Sequence, residues 1–387
     1  MRRPTILTGR RTTHIRRSLA HTVARRVAGG GIMGGVETRH RAQRALERRP
    51  CGGAGPAKKA MGFAAVTIAV VASSCAPEDA PSTLDPRGPG AARIAGTWWL
   101  MLGISTVVFL IVLGFMAVAL VRSRRAGPVP QGDVRWGEPV VIVGGVVIPA
   151  IILTAMFVVS LRDMAALSAP MGDTTMTIAV EGHDWWWEAT YSDPAATTAN
   201  EIHIPVGQPV ELELTTDDVL HSFWVPQLQA KTDMISGKVN RMWIEADEPG
   251  RFRGQCAEYC GLQHAKMIFY VVAQSEDDFE AWLANEAEEA AEPADPGAVA
   301  GEEVFMNETC AGCHAIRGTD ADAQLGPDLT HLAARGTIAA GVLDNTRADL
   351  AEWIVDPQGV KDGASMPPSE LSAQELDDLL DYLESLE

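Results

Sequence analysis

The chain has 387 residues, enough for two or three domains, and nearly half are hydrophobic, enough for buried cores and membrane segments together. Its net charge of −18 is unevenly placed: through residue 60 an Arg-rich beginning carries only Glu37 and Glu47, so the remainder is more acidic still. Such a body argues against nucleic-acid binding and suits basic or electrostatically docked partners.

Residues 1–75 read as a leader and signal segment. Residues 1–59 are Arg-rich without apolar periodicity, and Met33 and Met61 are alternative starts. Met61 to Ser74 is a short apolar run after Lys58-Lys59, too short to span a bilayer and suited to the core of a secretory signal. It ends in small residues before Cys75, which resembles a bacterial lipoprotein cleavage site and makes Cys75 a candidate for lipidation. Residues 76–96 form a Pro- and Gly-containing linker.

Residues 97–165 predict a two-helix transmembrane hairpin. Thr97 to Val121 and Val140 to Leu161 are apolar runs long enough to span, the second containing Pro149. Buried core helices are the alternative, which their uncharged length argues against. Trp98 and Trp99 suit an interfacial belt, and Arg122, Arg124 and Arg125 place the connecting end inside, so both outer ends face outward. An outside N-terminus agrees with a cleaved signal.

Over 170–288 the period changes. Thr175 to Val180, Glu201 to Pro205, Pro209 to Thr215 and Met267 to Val272 are β-branched or alternating, with turn residues between them, as in a β-sandwich. Asp277 to Ala291 predicts a helix with Phe279 and Trp282 on one face. An acidic linker follows at 289–298. Residues 299–387 predict a small all-helical domain: one helix through Val304, Phe305 and the Cys310 region, another over Arg347–Val355, and a third over Leu371–Leu386 opened by a Ser372/Glu375 capping box.

The cysteines locate the chemistry. Four of the six form local pairs, Cys256/Cys260 and Cys310/Cys313, each with a His at a ligand-like offset. Cys256-Ala-Glu-Tyr-Cys260-Gly-Leu-Gln-His264-Ala-Lys-Met267 gathers two thiols, an imidazole and a thioether, a soft set suited to copper; a disulfide or two buried thiols are the bland alternatives. One loop supplies only one side of a site. His221, at a strand end 35 residues before Cys256, would close it, with the thiolates bridging two copper ions and Met267 and the Glu258 carbonyl as weak outer ligands. Such a site is a one-electron relay. Cys310-Ala-Gly-Cys313-His314 has the spacing of c-type haem attachment, with His314 as axial ligand; a redox dithiol is the alternative.

The hairpin, Asp218-Val-Leu-His221-Ser and the Cys256–Met267 motif together resemble subunit II of haem–copper cytochrome c oxidase over about residues 97–285. The resemblance implies a cupredoxin-like domain with a binuclear copper A centre on His221, Cys256, Glu258, Cys260, His264 and Met267. It also implies a shared magnesium near the Glu258 side chain at the subunit I interface. Trp185, in Gly182-His-Asp-Trp185-Trp-Trp187, stands where the family has its aromatic electron-input patch, although core packing suits Trp186 and Trp187 equally. Asp217 and Asp218 match acidic positions near the family's docking face. One departure stands out: Ile142 occupies the position of a family Glu linked to proton uptake, and Glu138 lies one helical turn earlier. Residues 299–387 resemble a small class I cytochrome c, which implies Met366 as second axial ligand, with Met306 as rival, and Pro327 as the carbonyl that orients His314.

These readings predict a subunit II with its electron donor fused on. Electrons from its own haem c would pass through copper A to subunit I, where oxygen is reduced to water with proton translocation. The 289–298 linker would act as a tether that raises the donor's effective concentration. The expected setting is a bacterial cell membrane with both redox domains on the outer face. Subunits I and III and an upstream cytochrome or respiratory complex are the expected partners. The rivals are a membrane copper/haem carrier without an oxidase, the copper A domain of nitrous oxide reductase, and a copper-delivery protein. The last would usually continue Cys-x-x-x-Cys with Pro, where Gly261 stands.

Overall fold

The computed structural model describes residues 80–125, 137–170, 172–174 and 176–387. The leader and signal segment, the alternative starts and the Cys75 lipidation site lie outside the described residues. Helix α1 spans Pro89–Arg125 and α2 spans Gly137–Leu167. Both exceed the runs expected from apolar character. Pro89 sits in the first turn of α1, where its missing N–H costs nothing. The linker expected through residue 96 therefore stops at Pro89. The cause is packing: Gly88 and Gly90 leave room where a Cβ would meet the Glu245 carbonyl or the Gln229 side chain. Arg87 N and Ala91 N donate to the Gln227 and Leu228 carbonyls at 2.7 and 2.9 Å. In α2 a π-helical turn over Val143–Val147 immediately precedes Pro149, absorbing the hydrogen bond that proline cannot donate. The apolar middle of each helix is wholly unburied, as lipid-facing surface would be. Thr97 of α1 donates to Asp163 of α2, and Trp243 Nε1 donates to the Leu167 carbonyl at 3.0 Å, so the two helices are tied to each other and α2 to the strands that follow.

Ten strands follow: β1 Thr177–His183, β2 Trp186–Ser192, β3 Ala195–Ala199, β4 Glu201–Pro205, β5 Val210–Thr216, β6 His221–Trp224, β7 Thr232–Met234, β8 Asn240–Ile244, β9 Gly250–Cys256 and β10 Ile268–Gln274. They form two five-stranded sheets, ordered β3-β2-β1-β5-β8 and β4-β10-β9-β6-β7, the sandwich that the alternation predicts. Strand β5 shows why: Val210, Leu212 and Leu214 face inward while Glu211 and Glu213 face Arg241 outside. Trp187, Phe223 and Phe269 are fully buried between the sheets, with ring centroids 4.4–5.8 Å apart. Helix α3, Glu276–Glu286, is capped by Ser275 and places Phe279 and Leu283 on this core. It ends five residues earlier than expected because the Arg317 guanidinium takes the Glu286 carbonyl at 2.5 Å, satisfying the helix end.

The last domain packs α4 Pro296–Asn307, α5 Arg347–Val355, α6 Pro357–Val360 and α7 Ala373–Glu384 around Phe305, Ile354, Leu379 and Leu383, beside a short β11–β12 pair over Thr337–Ile338 and Leu343–Asp344. The capping box at Ser372 and Glu375 is formed. The helix expected through the Cys310 region is two pieces. α4 stops at Asn307, Glu308 is extended, and Cys310–Gly312 is a separate tight turn. Asn307 and Thr309 are weak helix formers, which favours a break here.

This domain docks on the sandwich. The buried Glu201 carboxylate accepts from Arg251 at 2.6 Å and from Gly336 N at 3.1 Å, and Ile268 N donates to the Ala340 carbonyl at 3.1 Å. The segment expected to be a free tether is held at its start, where His331 Nε2 donates to the Glu288 carbonyl and Ala290 N to the Arg317 carbonyl.

Candidate metal centre

Strand β6 begins at His221 and pairs with the end of β9, Phe223 facing Cys256. The β9–β10 connection then leaves Cys256 and returns at Met267, whose carbonyl accepts from Cys256 N at 3.0 Å. Within it Gly261 has φ +116°, a left-handed backbone that only glycine adopts freely, and a Cβ there would sit 3.0 Å from the Trp185 indole.

Every donor expected from the sequence converges here. The Cys256 and Cys260 sulfurs are 3.7 Å apart and not bonded to each other. His221 Nδ1 is 3.9 Å from Cys256 Sγ, His264 Nδ1 is 3.6 Å from Cys260 Sγ, and Met267 Sδ is 3.8 Å from Cys260 Sγ. The Glu258 carbonyl lies 3.1 Å from Cys256 Sγ, while its carboxylate turns outward to 3.9 Å from Lys231 Nζ. His221 is fully buried, and both cysteines and Met267 are buried beside it. The separations between thiols, imidazoles and thioether are those of atoms ringing a common centre, and the set is soft; it fits copper.

Two residues not expected to act on the ligands hold His221 in place. Asp218 was expected near the docking face. Its carboxylate instead accepts from His221 Nε2 at 2.8 Å, Thr216 Oγ1 at 2.9 Å and Asp184 N at 2.7 Å. That fixes the tautomer and turns Nδ1 toward Cys256. Gly182 makes room: a Cβ there would stand 3.3 Å from the His221 ring. Burial pulls the His221 pKa down, but the Cys256 and Asp218 contacts outweigh it and hold it above its ordinary value. Burial likewise raises Asp218, and the His221 and Thr216 hydrogen bonds more than reverse it. The contact with Cys260 pulls the Cys256 thiol below its ordinary value despite burial, and the same contact pushes the Cys260 thiol up.

Trp185 Nε1 donates to the Cys260 carbonyl at 2.9 Å, so the candidate electron-input residue touches the metal loop directly. Trp187 belongs to the core, and Trp186 stacks on His183 at 4.3 Å.

Cys310 and Cys313 are free and half-buried at the edge of the helical core. His314 Nδ1 donates to the Pro327 carbonyl at 2.8 Å, which leaves Nε2 as the free ligand atom, and burial lowers its pKa, favouring the neutral ring a metal needs. A Cβ on Gly326 would press on the same ring. Met366 and Met306 both pack on this core. Two thiols at attachment spacing beside a neutral, oriented imidazole fit a covalently held haem c.

Comparison with known proteins matches the two domains that hold these residues. Residues 195–275 match the family described as cytochrome c oxidase subunit II, periplasmic domain, and residues 298–387 match cytochrome c. Cytochrome c oxidase subunit 2 of Alkalihalophilus pseudofirmus is 36% identical over 326 residues, covering 81% of this chain and 93% of that one. The chain belongs to the cytochrome c oxidase subunit II family. Its Bacillus subtilis relative is 28% identical over 333 residues, covering 79% of this chain and 91% of that one. A crystal structure of the periplasmic domain of subunit II from Bradyrhizobium japonicum covers 30% of this chain and 95% of that one, at 28% identity and a TM-score of 0.29. As a subunit II it is a component of a haem–copper oxidase alongside subunit I. Its two apolar helices are those of a membrane-anchored subunit, and its two matched domains imply copper and haem c.

Proposed function

We propose that this subunit II takes electrons on its own haem c and passes them by way of a binuclear copper centre to subunit I, where oxygen is reduced to water and protons are moved. The convergence of His221, Cys256, Cys260, His264, Met267 and the Glu258 carbonyl at one end of the sandwich carries the reading. When bound there, copper shared between two thiolates supplies one-electron storage with little rearrangement. The chain's part is to keep that site rigid and dry: the aromatic core of Trp187, Phe223 and Phe269 backs it, and Asp218 fixes one imidazole. No protein group at the centre is poised for bond chemistry.

Cys310, Cys313 and His314 would hold the haem, with Met366 as the opposite axial ligand, a His/Met pair that raises the haem potential. The outward Glu258 carboxylate suits a magnesium ion at the subunit I boundary. Arg122, Arg124 and Arg125 at the end of α1 favour an inner connection and outer redox domains. Subunit III and an external donor cytochrome or respiratory complex complete the assembly. Glu138, in the first turn of α2, is a candidate carboxylate for proton uptake.

The deciding experiment is purification from the membrane with metal analysis and electron paramagnetic resonance. Two coppers per chain, a mixed-valence spectrum and co-purification with a haem-bearing, multi-span subunit are expected. One labile copper and no partner would instead point to a copper-delivery protein.

A further inference from the structure

A lysine lies where the two redox domains meet. Lys361 is 3% exposed, and no carboxylate among the described residues forms an ion pair with it. Its ammonium donates to two backbone carbonyls, Trp185 at 2.8 Å and Ala339 at 3.2 Å. A buried charge without a counter-ion is costly, so a lysine kept there is held for a positional reason.

Its neighbours supply that reason. Lys361 follows α6 and stands five residues before Met366 on one braced loop. Gln358 Nε2 donates to the Ala364 and Met366 carbonyls at 2.8 and 3.1 Å, and its Oε1 accepts from Gly363 N at 2.9 Å. Ala364 N closes the turn on the Lys361 carbonyl at 3.0 Å. From the other side, the Cys256–Met267 loop reaches across: Gln263 Nε2 donates to the Asp362 carbonyl at 2.6 Å, and Lys266 Nζ donates to the Val360 carbonyl. Leu262 lies against Gly363, whose φ of +83° and missing Cβ permit the approach. The loop bearing the candidate haem ligand is thereby stitched to the loop bearing the candidate copper ligands. A further connection between them runs from Lys361 to the Trp185 carbonyl and from the Trp185 indole to the Cys260 carbonyl at 2.9 Å.

We propose that Lys361 is the positioning residue that locks the Met366 loop onto Trp185, so that the haem domain works from one fixed seat on the copper domain and not by swinging on its connection. The proposal rests on the two-cofactor reading above. The step it serves moves one electron from the haem to the copper centre; no bond forms or breaks and no proton is required. Burial pushes the Lys361 pKa down to about 7, with Lys266 adding to the effect and Cys260 opposing it, which agrees with a seat enclosed from water on all sides.

The test uses the purified oxidase carrying the full chain, with Lys361→Met, Lys361→Arg and, as control, the exposed Lys238→Met. Metal content and the haem and copper spectra come first, which checks the two-cofactor reading separately. Electron transfer from photoreduced haem to copper is then timed, and amide hydrogen exchange is followed over 184–187 and 358–364. Lys361→Met is expected to slow the transfer at least about tenfold and to raise exchange in both segments, with spectra unchanged; Lys361→Arg recovers part of each, and Lys238→Met changes neither. Unchanged transfer or unchanged exchange in loaded Lys361→Met would overturn the proposal. Slow transfer with unchanged exchange would mean that the lysine acts through its charge alone. Should a variant or the parent lack a cofactor, the exchange measurement still decides whether Lys361 seats the domain.

Discussion

At the scale of single residues, a ligand is only as good as the group that aims it. Cys256, Cys260, His264 and Met267 were legible because they sit in twelve consecutive positions, and softness of the donors does not depend on the fold. His221 was legible only by adding a strand end from elsewhere. Asp218 was visible as an acid, but whether it turns outward or inward depends on the turn geometry before β6, which no local pattern encodes. Its 2.8 Å bond to His221 Nε2 now predicts that Asp218→Ala weakens copper retention by about 10- to 100-fold, measured by competition with a chelator of known affinity. Retention equal to the parent would mean that packing of the ring beside Trp187 suffices. The axial methionine separates two neighbours in the same way. Met366→Leu is expected to remove the low-spin His/Met absorption, while Met306→Leu leaves it intact. A spectrum that survives Met366→Leu would transfer the role.

At the scale of elements, the alternation in β5 and the capping box at Ser372 fixed their strand and helix because local chemistry and burial agree there. Strand β9 was missed: Arg251 and Arg253 break the apolar pattern, yet Arg251 is engaged by Glu201 and stacks 3.5 Å over the Tyr270 ring. The turn at Cys310 was misread as helix because the interruption falls at Asn307 and Thr309, weak helix formers, and not at a Gly or Pro. Crossing of α4 and α7 is equally invisible in sequence. It depends on Gly301, where a Cβ would collide with the Asp378 backbone carbonyl and the Tyr382 side chain. Backbone on a packed helix cannot yield as a flexible side chain can. Gly301→Ala is therefore expected to destabilise the haem domain by about 1–3 kcal/mol, although alanine is the better helix former. Guanidinium unfolding followed by haem absorbance checks this, and a stabilised variant would show that the crossing can slide apart without loss.

At the scale of the whole molecule, composition suggested a donor on a tether, and acidic, small-residue sequence at 289–298 supported it. Composition cannot register that Glu201, Arg251, Lys266 and Lys361 find backbone and side-chain partners on the other domain. Docking of this kind should respond to pH through Lys361, whose docked pKa of about 7 lies below the ordinary 10.5 it regains when the domains separate. Between those values the separated form binds one more proton than the docked form, so docking strengthens as pH rises through that window and is weakest below about 7. Lys266 and Cys260 face the same ammonium, one lowering and one raising its pKa, and neither reverses the sign. Cleavage of the connection near residues 289–295 by an added protease reports separation, and its ratio to cleavage of Lys361→Met removes the protease's own pH dependence. That ratio is expected to fall as pH rises from about 6 to about 9. A ratio that stays flat would mean that the buried lysine keeps one protonation state throughout and that the acid-side weakness of the seat has another source.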